Sequence, residues 1–191
     1  LCYAIDRQQI LDLAFDGYGT LLGSSMYPAF SKYFDDSLTN TYAYDTEKAK
    51  ALLAEAGYGE GELKLTLVID TRSDVTSVGT MLKEYLNQVG IEVEIATGDK
   101  ATMSGSYYAN GTDYDIFVGT WYCATPDANS QIVTTFHSSC NGATGGYCWM
   151  NRPEMDKMIE DARASSDPEV RASLYKQIQE TVQSEKWWVP V

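Results

Sequence analysis

The residues best equipped for chemistry fall in one run, Trp121-Tyr122-Cys123-Ala124-Thr125-Pro126-Asp127, directly after the apolar stretch Ile116-Phe117-Val118 and Gly119. Two large aromatics supply ring faces and polar edges, the thiol is a soft nucleophile, and Pro-Asp suits a turn or a helix start. In an open α/β sheet, ligands collect in the crevice outside the carboxyl ends of the strands. Trp121, Tyr122, Cys123 and Asp127 are therefore candidate ligand contacts, with closure of the core at the sheet edge as the alternative use of the same aromatics. A second crevice candidate is Arg72, in Asp70-Thr71-Arg72 after an apolar strand; it either meets an anionic ligand or forms a surface ion pair.

Catalysis would have to be assembled from His137, the single histidine, four cysteines and scattered carboxylates. His137 and Cys140 lack any surrounding nucleophile motif, and Asp35-Asp36 and Asp113/Asp115 read as solvated loop charges. Gly57-Tyr58-Gly59-Glu60-Gly61 follows a helix instead of joining a strand to a helix N-terminus, so it is no phosphate cradle. One histidine without clustered soft partners makes a poor metal set. The expectation is a binding protein with no catalytic residues, no metal and no cofactor.

Cys140 and Cys148 bracket a glycine-rich insert, Asn141 to Tyr147, whose ordering a staple of about 2 to 3 kcal/mol would favour. A Cys140–Cys148 disulfide is expected, and with it an oxidising, extracytoplasmic compartment. Cys2 and Cys123 are read as buried thiols, with a bond between them as the open alternative.

Positioning these groups requires a scaffold, and the 191 residues, 44% of them hydrophobic, suffice for a sizeable core. Acidic residues outnumber basic ones 27 to 14, for a net charge of -13, with no cationic cluster; nucleic acid and anionic membrane surfaces are excluded as partners on that ground. No apolar run is long enough to span a bilayer. The chain starts Leu1-Cys2-Tyr3, inside an amphipathic pattern, as expected of a piece of a longer protein.

Helical spacing predicts a first helix over 3–16, and Asp45 precedes a second that ends at Gly57. Residues 17–44 lack periodicity, and their tyrosines either line a ligand cleft or cover the fold. Leu63 to Ile69 reads as an inner strand, Val75 to Val89 as a helix, Ile91 to Ile95 as an alternating strand, 99–109 as a weaker helix and Tyr114 to Val118 as a third strand. That rhythm implies crossovers and a mostly parallel sheet flanked by helices. Further helices are expected over Asn129 to His137, over Pro153 to Ala164, and from the cap Asp167 with Val170, Leu174, Ile178 and Val182 as its apolar face. Trp187 to Val191 reads as a strand-like tail.

The ordered pieces Tyr3-Ala-Ile-Asp-Arg7, Tyr44 to Tyr58, Leu86 to Val93, Tyr114-Asp-Ile-Phe117, Trp121 to Asp127, Phe136-His-Ser138, Asn151 to Asp156 and Trp188-Val-Pro190 resemble the extracellular solute-binding proteins of the peptide/nickel class. The resemblance implies an α/β, periplasmic-binding-protein-like (type II) lobe over 1–191. It implies the second lobe of a two-lobed clamp that closes on a peptide or other small solute and delivers it to ABC permease subunits, the alternative being a non-transport interaction domain of an exported protein. The first lobe and a lipid anchor to the membrane would lie outside these residues. In peptide-binding relatives the loop reads Trp-x-x-Asp-x-Pro-Asp, and its first aspartate anchors the peptide's ammonium. Here that position is Ala124, which points to a non-amine ligand such as a sugar or metal chelate, or to a charge supplied from elsewhere.

Overall fold

The apolar periodicity of residues 63–98 is realised as a strand, a helix and a parallel strand. The computed structural model of the chain describes residues 1–108, 111–122, 125, 127–142, 148–186 and 188–190. Backbone contacts divide the chain into two compact units, residues 1–21 with 42–120, and 22–41 with 121–190.

In the first unit, the strands are β1 (Leu63–Asp70), β2 (Ile91–Gly98) and β3 (Ile116–Val118), in the order β2-β1-β3. Both pairings are parallel, Leu63 facing Ile91 through Asp70 facing Gly98 on one side, and Leu67 facing Ile116 through Ile69 facing Val118 on the other. β1 is central, and its Leu67, Val68 and Ile69 are almost fully buried. Each contributes about 1.5 to 3 kcal/mol by leaving water.

Helix α3 (Ser73–Gln88) covers the sheet through Val75, Val78, Leu82 and Leu86. It approaches β1 closely: a Cβ on Gly79 would lie 2.7 Å from Ile69 Cγ2. The first helix, α1 (Arg7–Ala14), starts later than periodicity predicts, because the Asp6 carboxylate caps it by accepting from the Gln9 N–H. Residues Cys2–Ala4 form a separate 3₁₀ turn. The Tyr85 hydroxyl donates to Gln9 at 2.6 Å and ties α1 to α3. Helix α2 (Thr46–Glu55) is capped by Asp45 as expected. The expected helix over 99–109 is shorter: α4 (Lys100–Met103), capped by Asp99, runs into a π turn over Ser104–Tyr108.

The second unit is helical, built from α5 (Ala128–Phe136), α6 (Pro153–Ala164) and α7 (Pro168–Glu185). Ile132 and Phe136 of α5, Met155 and Ile159 of α6, and Tyr175 and Ile178 of α7 share one core with Met26 from the 22–41 segment. The face of α7 is displaced from the expected one. Val170 is exposed, whereas Tyr175 and the polar Gln179 are fully buried. Trp188 lies edge-on to Phe136 at 5.8 Å, and residues 188–190 form no strand, which corrects the strand-like reading of the tail.

Candidate functional site

β1 is flanked by β2 on one side and β3 on the other, so the carboxyl end of β1 is where the connections of the sheet diverge, the position at which open α/β sheets place ligands. Asp70 ends β1 with its side chain only 3% exposed, and Arg72 bonds to it twice over. Arg72 Nε donates to Oδ1 and Oδ2 at 3.0 and 3.1 Å, and Nη2 donates to Oδ2 at 2.9 Å. The Arg72 N–H adds a bond to Oδ1 at 3.0 Å. Burial alone would raise the Asp70 pKa; the hydrogen bonds from the Arg72 side chain and backbone, with the charges of Arg72 and Lys100, outweigh it and hold the carboxyl below its usual value. Arg72 Nη1 donates to the Thr120 hydroxyl at 2.7 Å, joining the loops that leave β1 and β3. The guanidinium is thus oriented by a buried carboxylate and a hydroxyl, and remains 39% exposed.

Trp121, the next residue along the chain, belongs to the second unit. Its indole stacks on the Tyr122 ring with centroids 6.4 Å apart and planes 24° from parallel. Tyr122 is 76% exposed, an unusual state for an aromatic of this size unless its face has a use. The Trp121 carbonyl accepts from the Tyr27 hydroxyl at 2.7 Å. Cys123, Ala124 and Pro126 lie outside the described residues.

Asp127 caps α5 by accepting from the Asn129 N–H at 2.9 Å, and also meets Arg171 Nη2 at 3.3 Å. Arg171 lies over the rings of Tyr33 and Tyr175, 5.8 and 5.6 Å from their centroids. The Asp127 carboxylate is thereby engaged in holding the start of α5 and the side of α7.

Of the sequence candidates, Trp121 and Tyr122 come together as one aromatic surface, Asp127 is drawn into a cap and an ion pair, and Arg72 belongs to the first unit with Asp70. Sequence reading missed Asp70, Tyr27 and Arg171. Asp70 was signalled only by its place at the end of an inner strand two residues before an arginine; Tyr27 and Arg171 lie 94 and 44 residues from their partners, and no local pattern marks them.

Cys140 and Cys148 are free thiols in this structure, without the expected bridge between them. Cys148 packs against the helical core, where burial pushes its thiol up to about 12, and Cys140 lies in the 3₁₀ turn Ser138–Cys140 after α5. His137 also has a structural placement: Nδ1 accepts from the Ser139 N–H at 3.2 Å, and Nε2 lies 3.5 Å from Glu160 on α6. Asp156 of α6 accepts from both the N–H and the hydroxyl of Ser138, fastening the end of α5 to α6. Among the described residues no group of three His, Cys, Asp or Glu side chains is placed to hold a metal.

The family model described as bacterial extracellular solute-binding proteins, family 5 Middle, matches residues 1–143. The heme-binding protein A of Haemophilus influenzae is 27% identical over all of this chain and 35% of its own length. The oligopeptide-binding protein AppA of Bacillus subtilis is 28% identical over 95% of the chain and 35% of its own length. AppA solved with a nonapeptide superposes on 99% of the chain with a TM-score of 0.80 at 25% identity. The binding protein AgaA from A. tumefaciens R10, solved with agropinic acid, superposes on 99% of the chain and 38% of its own with a TM-score of 0.86 at 25% identity. The chain thus spans little more than a third of the length of these relatives.

Proposed function

Because the chain belongs to the bacterial extracellular solute-binding proteins of family 5, we propose that it forms a ligand-binding lobe of the substrate-binding component of an ABC importer. In this reading the intact protein captures a small solute between two lobes outside the cytoplasm and presents it to permease subunits. A lipid anchor outside these residues would hold it at the membrane. It acts by binding and not by chemical conversion.

The observation that carries the reading is the Trp121–Tyr122 pair. Its two rings lie nearly parallel, and the outer one is 76% exposed. Aromatic faces of this kind bring a large apolar contact with a polar rim at low cost in side-chain freedom. Within the first unit, Arg72, oriented by Asp70 and Thr120, is a separate candidate contact for a carboxylate or another anionic group. Asp127 contributes by setting the start of α5 beneath the loop, and Cys123 by its place beside the aromatic pair in sequence.

A specific residue favours a non-amine ligand over an ordinary oligopeptide. By the resemblance of the loop Trp121 to Asp127 to the peptide-binding pattern Trp-x-x-Asp-x-Pro-Asp, Ala124 takes the place of the ammonium-anchoring aspartate. An enclosed ammonium without that partner would cost several kcal/mol, on the order of the penalty for any uncompensated buried charge. A sugar, a blocked or modified peptide, or a metal chelate escapes that penalty.

Native mass spectrometry of the intact protein as purified, with identification of the released small molecule, tests the reading. The expected result is a stoichiometric solute. Titration of that solute into Trp121→Ala is expected to show affinity weakened about fivefold or more, equivalent to about 1 kcal/mol. Unchanged affinity would return Trp121 to packing and remove the basis of the proposal.

A further inference from the structure

The 22–41 segment leaves the first unit after Leu21, joins the second, and returns at Tyr42. It has almost no regular structure, only the 3₁₀ turn Asp36–Leu38, yet residues 23–26 are buried. The order comes from side chains of the helical unit. The Ser24 hydroxyl donates to Gln179 Oε1 at 2.8 Å, the Asp35 N–H donates to the same oxygen at 3.4 Å, and Gln179 Nε2 donates to the Tyr33 carbonyl at 2.6 Å. Gln131 Nε2 donates to the Ser25 carbonyl. Gly23 admits no side chain, because a Cβ there would lie 2.0 Å from the Thr39 backbone nitrogen. One buried glutamine on α7 and one on α5 thus satisfy the Asp35 N–H and the Tyr33 and Ser25 carbonyls, and turns within the segment, such as Phe30 N–H to the Tyr27 carbonyl, pair others.

A segment held so firmly at Ser24 and Ser25 carries Tyr27 at a fixed place. The Tyr27 ring lies 6.5 Å from Phe30 and 22° from parallel, and Phe30 packs on the helical core. Its hydroxyl, 2.7 Å from the Trp121 carbonyl, therefore reaches the aromatic pair from a rigid base. That carbonyl belongs to the peptide plane joining Trp121 to Tyr122, so the bond restrains the backbone from which both rings project. With only 24° between the ring planes, rotation of that plane would undo the stack.

We propose that Tyr27 is a positioning residue for ligand recognition. Its hydroxyl locks the Trp121–Tyr122 peptide plane, and so fixes the spacing and tilt of the ring surface that selects flat or ring-shaped ligand faces. The inference rests on the ligand-wall reading of Trp121 and Tyr122, and it adds the residue that shapes the wall without touching ligand.

The test uses the intact protein labelled with 5-fluorotryptophan, which gives one fluorine signal for each of its tryptophans, with Trp121→Phe assigning one of them to Trp121. Tyr27→Phe keeps the ring and its contact with Phe30 and removes only the donor. In the ligand-free protein the Trp121 signal is expected to shift or broaden in Tyr27→Phe while the other signals and the melting curve hold. Titration of trialanine and of cellobiose, read by tryptophan fluorescence, is expected to show that the probe bound by the parent protein binds Tyr27→Phe about three- to tenfold more weakly, with faster dissociation. An unmoved Trp121 signal, or a movement of all signals together, overturns the positioning role. The ligand-free spectrum decides the role of Tyr27, and the Trp121→Ala titration decides the wall, so the two readings fail separately.

Discussion

Replacing Arg72 by Met keeps most of the aliphatic stem and deletes the guanidinium, leaving the Asp70 carboxylate in its buried place with the residue-72 backbone N–H as the remaining donor of the four contacts. Removing one partner of a fully buried ion pair costs about 3 to 5 kcal/mol. Here Asp70 is 3% exposed but Arg72 is 39% exposed, so water enters from the arginine side and the expected loss is smaller, about 2 kcal/mol after that discount. Urea unfolding followed by circular dichroism should register it as a midpoint lowered by about 1 M or more, for an m-value of roughly 1.5 kcal/mol/M. The pH dependence supplies the sharper check. The wild-type carboxyl titrates below its ordinary range, so its stabilisation is present above the unfolded value near about 4 and is lost as pH falls through the lower folded value. In the variant the burial persists without the partner, so the folded carboxyl titrates above the unfolded one. Protonation then relieves the variant, and the gap between the proteins is widest near about pH 7 and narrows toward about pH 4.5. Adding Asp70→Asn removes the stranded charge and should bring stability back to within about 1 kcal/mol of wild type. A gap constant with pH, or a double variant no better than the single one, refutes the reasoning.

Gly79→Ala should destabilise the protein by about 1 kcal/mol in urea unfolding although alanine is the better helix former, because the new Cβ would stand 2.7 Å from Ile69 Cγ2 on β1; a raised midpoint would show that α3 moves away freely. Cys148, whose thiol is pushed up to about 12, should resist a disulfide reagent at about pH 8 until the second unit opens, and a non-reduced digest should show Cys140 and Cys148 unlinked. Rapid labelling of Cys148 in the native protein, or a cross-linked peptide, would contradict that placement.

The parallel sheet and α3 were legible because one physical variable, burial on one or both faces, writes a short-range period into the chain. Leu63 to Ile69 and Ile91 to Ile95 carried it without ambiguity, and the caps Asp45 and Asp167 marked their helices at one residue's precision. What failed to show was polar burial. Gln179 occupies a position that reads as solvent-facing on α7, and its burial is compensated by the Ser24 hydroxyl, the Asp35 N–H and the Tyr33 carbonyl of the 22–41 segment, together with the Tyr175 carbonyl of its own helix. The same cause rotated the apparent apolar face of α7 toward Tyr175 and away from Val170. Asp6 shortened α1 by offering the backbone a side-chain acceptor, a competition that apolar spacing does not record. The disulfide expectation followed loop composition, whereas Cys148 packs, partly buried, against the helical core. Among the candidate contacts, the aromatic pair and Arg72 were visible as residue types; the atoms that orient each of them were not.

The Ser24–Gln179 bond closes a separation of 155 residues. On a growing chain, Ser24 emerges long before the glutamine that will accept its hydroxyl. At a synthesis rate of about 5 to 20 residues per second the delay is roughly 8 to 30 s. Residues 42–120 can collapse in that interval, since β1, α3 and β2 are consecutive and close short loops. The 22–41 segment cannot, and it must wait unpaired, with its tyrosines and phenylalanines accessible to water and to other chains. The segment held in place by side chains of α5 and α7 thus settles late within this stretch, and its aromatic rings stay exposed until α7 appears.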